Sequence, residues 1–178
     1  HHLGEVTYFS PLADTSLPDA GFVYLPGGYP ELYLAALSAN RQMLQSIRRY
    51  VESGGKLLAE CGGMMYLCDE IRDKNGYVYP MAGVLHQSAT MENMKLRLGY
   101  RTLLYNETRL KGHEFHYSRL VEQQNPLPSC AVAYTAKGVE TDTPLYHYKN
   151  VWAGYTHLYW ADPVGNEWFT KFVIDGNI

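Results

Sequence analysis

The sequence predicts a layered α/β fold with a partly antiparallel extension, and three observations predict it. Strand and helix signals alternate in the order β-β-α-β-α through residue 69, the texture turns to short strands and turns after Gly83, and an amphipathic helix closes the chain. Glu5 to Phe9 and Gly21 to Leu25 are short runs rich in β-branched and aromatic residues and bounded by turn formers, so both read as strands, with Ser10 to Pro18 as the loop between them. From Asn40 to Ser53, Met43, Leu44, Ile47 and Val51 recur at helical spacing; Asn40 is a suitable N-cap and Gly54-Gly55 a stop. A strand over Lys56 to Glu60 and a short helix over Gly62 to Asp69 follow. Leu96 to Tyr105, Gly112 to Tyr117, Ser129 to Tyr134, Pro144 to Tyr148 and Val151 to Thr156 read as strands. Asp162-Pro163 opens the last helix, which carries Val164, Trp168, Phe169, Phe172 and Val173 on one face.

Composition narrows the function classes. A chain of 178 residues, 46% hydrophobic and 19% charged, is sized for one core, so a single domain is expected. The formal charge of −3 and the scatter of the fifteen Lys and Arg offer no basic field for nucleic acid. No apolar run is long enough to span a bilayer, and no secretory leader pattern is present, so no membrane partner is expected. Cys61, Cys68 and Cys130 form neither a disulfide framework nor a metal-binding spacing, which points to a reducing, cytoplasmic setting with no metal site. His1 and His2 read equally as native sequence or as the end of a purification tag.

The chemistry concentrates at Leu57-Leu58-Ala59-Glu60-Cys61-Gly62-Gly63. A nucleophile on a sharp strand-to-helix turn needs small neighbours, which Gly62 and Gly63 supply, and a thiol at a helix start is favoured as thiolate by the positive end of the helix dipole. The competing reading is a small buried apolar residue, as free cysteines often are. A second signal is Leu25-Pro26-Gly27-Gly28-Tyr29-Pro30, where a strand running into two glycines leaves backbone N–H groups free to hold an oxyanion, with the N–H of Gly62 as a second donor. By itself the Gly27-Gly28 pair reads more readily as a plain β-turn ending a strand. His86, His113, His116, His147 and His157 are candidate bases, and spacing alone does not choose among them. His157 follows a predicted strand end, where active-site residues of open α/β sheets lie. His113 and His116, three apart in a predicted strand, face opposite sides and make a poor metal pair.

Together these pieces resemble the class I, or triad, glutamine amidotransferases. Leu25 to Glu31, Ala59 to Leu67, the Gly-His-Glu-Phe-His-Tyr-Ser segment from Gly112 to Ser118, and Tyr155-Thr156-His157-Leu158 resemble the C-terminal domain of the cobyrinic acid a,c-diamide synthase family, in the same order and spread from Ser10 to Trp160. The resemblance implies a flavodoxin-like sheet with flanking helices, Cys61 as nucleophile, His157 as its base, and Gly27, Gly28 and Gly62 around the oxyanion and substrate. It also implies L-glutamine as substrate and ammonia delivered for ATP-dependent amidation of two acetate groups of a tetrapyrrole. Where most class I enzymes place a Glu two residues after the histidine, this chain has Tyr159, so a dyad without an identified third member is expected. His113, Glu114 and His116 are open between shaping the site and holding the sheet.

No Gly-x-x-x-x-Gly-Lys-Ser/Thr loop occurs, so ATP and Mg2+ are expected on an ATP-dependent synthetase domain outside this sequence. By the same resemblance, residues 1–178 form a single glutaminase domain, a C-terminal fragment without its first strand. Its expected partners are that synthetase domain and, through it, the tetrapyrrole, with a homo-oligomer left open. A nickel-sirohydrochlorin a,c-diamide synthase shares much of the pattern, whereas cobyric acid synthase, an alternative with the same chemistry, carries a different sequence at the Gly-His-Glu-Phe-His-Tyr segment. A catalytically silent binding domain on the same scaffold and a class I-like peptidase are the alternatives from other classes.

Overall fold

The computed structural model describes residues 3–175, so the reading of His1 and His2 lies outside the described residues. The chain begins with β1 (Phe22–Leu25), a 3-10 turn at Pro30–Leu32, α1 (Leu34–Ala39), α2 (Arg41–Glu52), β2 (Lys56–Glu60) and α3 (Gly62–Leu67). Three short strands follow, β3 (Glu70–Arg72), β4 (Val78–Pro80) and β5 (Ser88–Thr90), then the long hairpin β6 (Arg97–Tyr105) and β7 (Thr108–His116). The rest is β8 (Arg119–Leu120), β9 (Val132–Thr135), β10 (Glu140–Thr141), β11 (Leu145–Tyr148), β12 (Val151–Gly154), β13 (His157–Leu158) and α4 (Pro163–Asp175).

The expected α/β layering is present, and the antiparallel part resolves into two further sheets. The central sheet has the order β1-β2-β12-β11, with β1, β2 and β12 parallel and β11 antiparallel at one edge. A five-stranded antiparallel sheet has the order β10-β9-β6-β7-β13, and a small mixed sheet the order β4-β3-β5-β8.

Strand alternation sorts the central sheet's side chains between two cores. Leu57 and Ala59 of β2, with Val151 and Ala153 of β12, face helices α1 to α3 and pack with Met43, Ile47 and Met64. Leu58 and Trp152 face the other way, against Leu103 and Leu110 of the long hairpin and Trp168 and Phe172 of α4. A strand buried on both faces must be almost continuously apolar, which is why Leu57-Leu58-Ala59 carries no polar alternation. Glu60 ends that run and shares the parity of Leu58, so its carboxylate is directed into the second layer.

The helix signals hold. The Asn40 side chain accepts from the Met43 N–H at 3.3 Å, capping α2, and its amide donates to the carbonyls of Pro11 and Asp14 at 2.8 Å each. That fastens the long entry loop to the helix. The expected strand at Glu5 to Phe9 does not form. Those residues pair with no neighbouring strand, and Val6 (72% exposed) and Tyr8 (91%) face solvent, because β-forming side chains alone do not make a strand without a ladder to join. The helix expected to reach Asp69 stops at Leu67, and the Gly112 to Tyr117 strand begins earlier, at Thr108, because the hairpin zips to its turn.

Helix α4 docks through aromatic contacts. Phe172 is fully buried and meets Phe22 edge-on at 5.7 Å, while Trp168 lies edge-on to Trp152 at 5.1 Å. Phe172→Ala should therefore cost about 3–5 kcal/mol in urea unfolding, the range for deleting a buried aromatic ring, whereas Ile174→Ala, at an exposed position, should cost under about 0.5 kcal/mol.

Candidate active site

Cys61 sits between the end of β2 and the start of α3 with φ 48° and ψ −108°, a backbone conformation that L-residues rarely adopt. The surroundings hold it there. Its N–H donates to the Gly154 carbonyl at 2.8 Å, tying it to the end of β12, and its carbonyl accepts from Met65 N–H at 3.0 Å as the first bond of α3. The glycines beside it answer to close packing. A Cβ on Gly62 would lie 2.5 Å from the Gly28 carbonyl oxygen and 2.9 Å from Pro30, and one on Gly63 would collide with the Leu25 carbonyl. The end of β1 and the Gly27-Gly28 turn are thus pressed against the first turn of α3, as the sequence reading expected of a strand-to-helix elbow.

The Gly27-Gly28 turn does two separate things. A Cβ on Gly27 would fall within the His157 ring, so this glycine provides the space in which the imidazole lies. A Cβ on Gly28 would meet nothing within 4 Å, so this residue borders open space. The N–H of Gly62 opens a helix and has no intrahelical acceptor. The Gly28 and Gly62 backbones therefore lie against each other, with the Gly62 N–H lacking an acceptor within the helix.

His157 is brought to this point by β13. Its segment pairs with β7, His157 opposite His113 and Leu158 opposite Gly112, and Gly112 must be a glycine because any Cβ would strike the His157 carbonyl. The Cys61 thiol lies close enough to the ring to influence its titration, and His157 Nδ1 lies 3.6 Å from Glu60 Oε2. The contact with Cys61 first, then that with Glu60, raises the imidazole pKa to about 9 against the opposing effect of burial. An imidazolium beside a thiol favours the thiolate. With α3 only six residues long, the neighbouring cation is a more direct source of that bias than the helix dipole.

The other histidines stand elsewhere. His86 is a largely exposed side chain 3.4 Å from Asp69, and His147 stacks on Trp152 at 4.3 Å. The β7 segment from His113 to His116 alternates as a strand must. His113 stacks on the His157 ring at 5.1 Å, Glu114 is fully buried and pairs with Arg101 at 2.9 Å, and His116 stacks on Tyr155 at 3.8 Å. Thr156 donates to Glu114 at 3.4 Å, so this strand underlies Tyr155, Thr156 and His157 in turn. Its buried face supports the histidine's own segment, while His113 lies against the ring itself. Among the described residues, no three His, Cys, Asp or Glu side chains cluster as a metal would need.

Cys68 is fully buried at the end of α3, its Sγ 3.6 Å from the Met64 carbonyl and its thiol pKa driven far up by burial. Cys130 contacts the Leu145 carbonyl and is pushed up to about 11 by burial. Neither resembles an activated thiol. Tyr159, at the position two residues past the histidine, is 59% exposed and is held through its backbone, its N–H donating to the Lys111 carbonyl and its carbonyl accepting from the Asp162 N–H. The residue that sequence reading passed over is Glu60. It is 3% exposed, accepts from the Tyr24 hydroxyl at 2.7 Å and from Leu158 N–H at 3.1 Å. A charged side chain ending an apolar strand on a core-facing parity was the available signal.

The sequence model of the CobB/CobQ-like glutamine amidotransferase domain matches residues 1–164. The chain is 39% identical over 160 residues to hydrogenobyrinate a,c-diamide synthase of Pseudomonas aeruginosa, covering 87% of this chain and 35% of that protein. It is 39% identical over 163 residues to cobyrinate a,c-diamide synthase of Fusobacterium nucleatum, with the same coverages, and 40% identical over 167 residues to that of Picrophilus torridus, covering 87% and 34%. The chain thus spans about a third of the length of the curated relatives it matches. A crystal structure of a glutamine amidotransferase superposes with a TM-score of 0.55 at 18% identity, covering 86% of this chain and 78% of that one, which supports the fold.

The charge state of His157 is measurable. By NMR its ring should titrate near 9, above the ordinary imidazole value of about 6.5. Cys61→Ala should lower that value, since the thiol contact is its largest cause. Because the folded-state value lies above the unfolded one, the stabilisation from this site is full below about pH 6.5 and is lost as pH rises through about 9.

Proposed function

The chain belongs to the CobB/CobQ-like glutamine amidotransferase family, and from that membership we propose that it hydrolyses the side-chain amide of glutamine to supply ammonia for amidating the a and c acetate carboxylates of a corrinoid acid. The observation that carries the hydrolysis is the strained Cys61 turn with the His157 ring beside it and the Gly28 and Gly62 backbones at its mouth. The corrinoid substrate rests on the relatives, which are named for cobyrinate and hydrogenobyrinate.

In this reading the Cys61 sulfur gives its proton to His157 and attacks the glutamine amide carbon. The tetrahedral oxyanion is held by the N–H groups of Gly28 and Gly62. His157 returns the proton to the departing nitrogen, ammonia leaves, and a γ-glutamyl thioester remains on Cys61. Water, deprotonated by His157, adds to the thioester and releases glutamate and the thiol. Each backbone donor contributes on the order of 3 kcal/mol by comparison with other oxyanion holes. Gly27 acts through the room it leaves for the ring.

The absence of a Gly-x-x-x-x-Gly-Lys-Ser/Thr loop from the sequence supports placing ATP outside this chain's chemistry. We assign ATP and Mg2+ to a synthetase domain in the remaining two thirds of a full-length protein, as the coverage of the relatives suggests. Three free thiols fit a reducing, cytoplasmic setting, and no helix among the described residues is long and apolar enough to cross a membrane.

The test is covalent trapping by a glutamine-mimicking diazoketone in the full-length protein. Stoichiometric labelling at Cys61, lost in Cys61→Ala and kept in Cys68→Ser, is the expected result, and labelling elsewhere or none would refute the assignment. Gly27→Ala should cut glutamine hydrolysis by about 10²-fold by displacing the ring, with the circular dichroism spectrum unchanged. Calorimetry should detect no ATP binding to residues 1–178 alone.

A further inference from the structure

We propose that Glu60 is the third member of the site: a positioning residue, supplied by the nucleophile's own strand, that orients His157 through Nδ1 and balances its charge. This rests on the reading of Cys61 and His157 given above. In the class I pattern the carboxylate follows the histidine by two residues, but Tyr159 occupies that position here and its side chain faces solvent. Glu60 reaches the same ring from the opposite direction in sequence. It is the last residue of β2, immediately before Cys61, and its parity turns it into the second layer, where β13 passes.

The carboxylate is held on three sides. Tyr24 from β1 donates to Oε2 at 2.7 Å, Leu158 N–H from β13 donates to Oε1 at 3.1 Å, and His157 Nδ1 stands 3.6 Å from Oε2. The Leu158 contact fixes the residue next to His157, so the same side chain sets both the backbone and the ring of the histidine. Tyr24 remains a donor throughout, since burial and then the Glu60 charge drive its ionisation well above the ordinary range. A carboxylate buried to 3% exposure is costly without a counter-charge, and among the described residues His157 is the only cationic side chain paired with it.

At 3.6 Å the contact is an ion pair rather than a formed hydrogen bond, and catalytic contacts of this kind tighten when substrate binds. With Nδ1 turned to Glu60, Nε2 is the nitrogen left for the Cys61 sulfur. The groups facing the ring are then Cys61 from the elbow, Glu60 from β2 and His113 from β7, with Tyr24 behind Glu60; the Gly27 turn contributes no titratable side chain. Glu60 keeps the proton on Nδ1 while Nε2 exchanges one with sulfur. It also stabilises the imidazolium formed when the sulfur gives up its proton. No proton passes to Glu60 in either step.

The experiment compares Glu60→Gln and Glu60→Asp with the unaltered full-length protein, reading kcat and KM for glutamine hydrolysis against pH, diazoketone labelling of Cys61, and the NMR titration of His157. Glu60→Gln is expected to lower kcat by about 10²–10⁴-fold with KM within about threefold, to lower the His157 titration, and to slow labelling of Cys61 without moving its site. Glu60→Asp, which keeps the charge, should recover part of the rate and part of the titration shift, and it carries the test if the glutamine variant does not fold. A folded variant of either kind with an unaltered kcat, pH profile and His157 titration would overturn the role of Glu60. Failure of the unaltered protein to label at Cys61 would instead overturn the underlying assignment of nucleophile and base.

Discussion

The backbone at Cys61 is the constraint on which the rest of the site depends. A non-glycine residue at φ 48° and ψ −108° costs on the order of 1–3 kcal/mol and persists only where its surroundings over-determine it. Here they do so from three directions: β12 accepts its N–H, α3 begins on its carbonyl, and β1 with its trailing turn lies too close to Gly62 and Gly63 for any side chain. Fixing that one residue places the sulfur, the first free N–H of α3 and the Gly28 backbone at a common point. A relaxed backbone at Cys61 would separate them.

The second layer performs a different task. Residue 157 lies beyond the end of β12 in a two-residue strand, and the parallel sheet reaches it only through the Glu60 side chain at the end of β2. The long hairpin supplies the support. Strand β7 pairs with β13, buries Glu114 beneath Thr156 and His116 beneath Tyr155, and lays His113 on the His157 ring. The buried Arg101–Glu114 pair stiffens this arrangement, because each charge is compensated only in one geometry. The histidine is thus positioned by a sheet remote in sequence from the nucleophile, and its charge is set by two residues adjacent to each other, Glu60 and Cys61.

Much of this was legible in the sequence, for local reasons. The α2 periodicity, the Asn40 cap and the glycines after Cys61 are short-range signals, and the structure bears them out as helix, cap and elbow. The close approach of Gly27 to His157 was not legible, because it joins residues 130 positions apart. The Glu5 to Phe9 segment misled for a related reason: strand propensity is local, but a strand exists only if a partner strand is present. The role of the Gly112 to Ser118 segment also depends on pairing with β13, a register that no residue within it announces. Glu60 was within reach of sequence reasoning, since a carboxylate ending an apolar strand on a buried parity requires a partner, but which partner is a matter of three dimensions.

Family membership and geometry meet at one chemical claim, that acyl transfer passes through a covalent bond to Cys61. The most direct measurement is acid-quenched mass spectrometry of the full-length protein mixed rapidly with glutamine. The account predicts a transient γ-glutamyl thioester on the peptide containing Cys61, formed before glutamate is released and increased in amount by conditions that slow hydrolysis. Glutamate release at the normal rate with no acyl group on that peptide at any time point, or with the acyl group on Cys68 or Cys130, would contradict it.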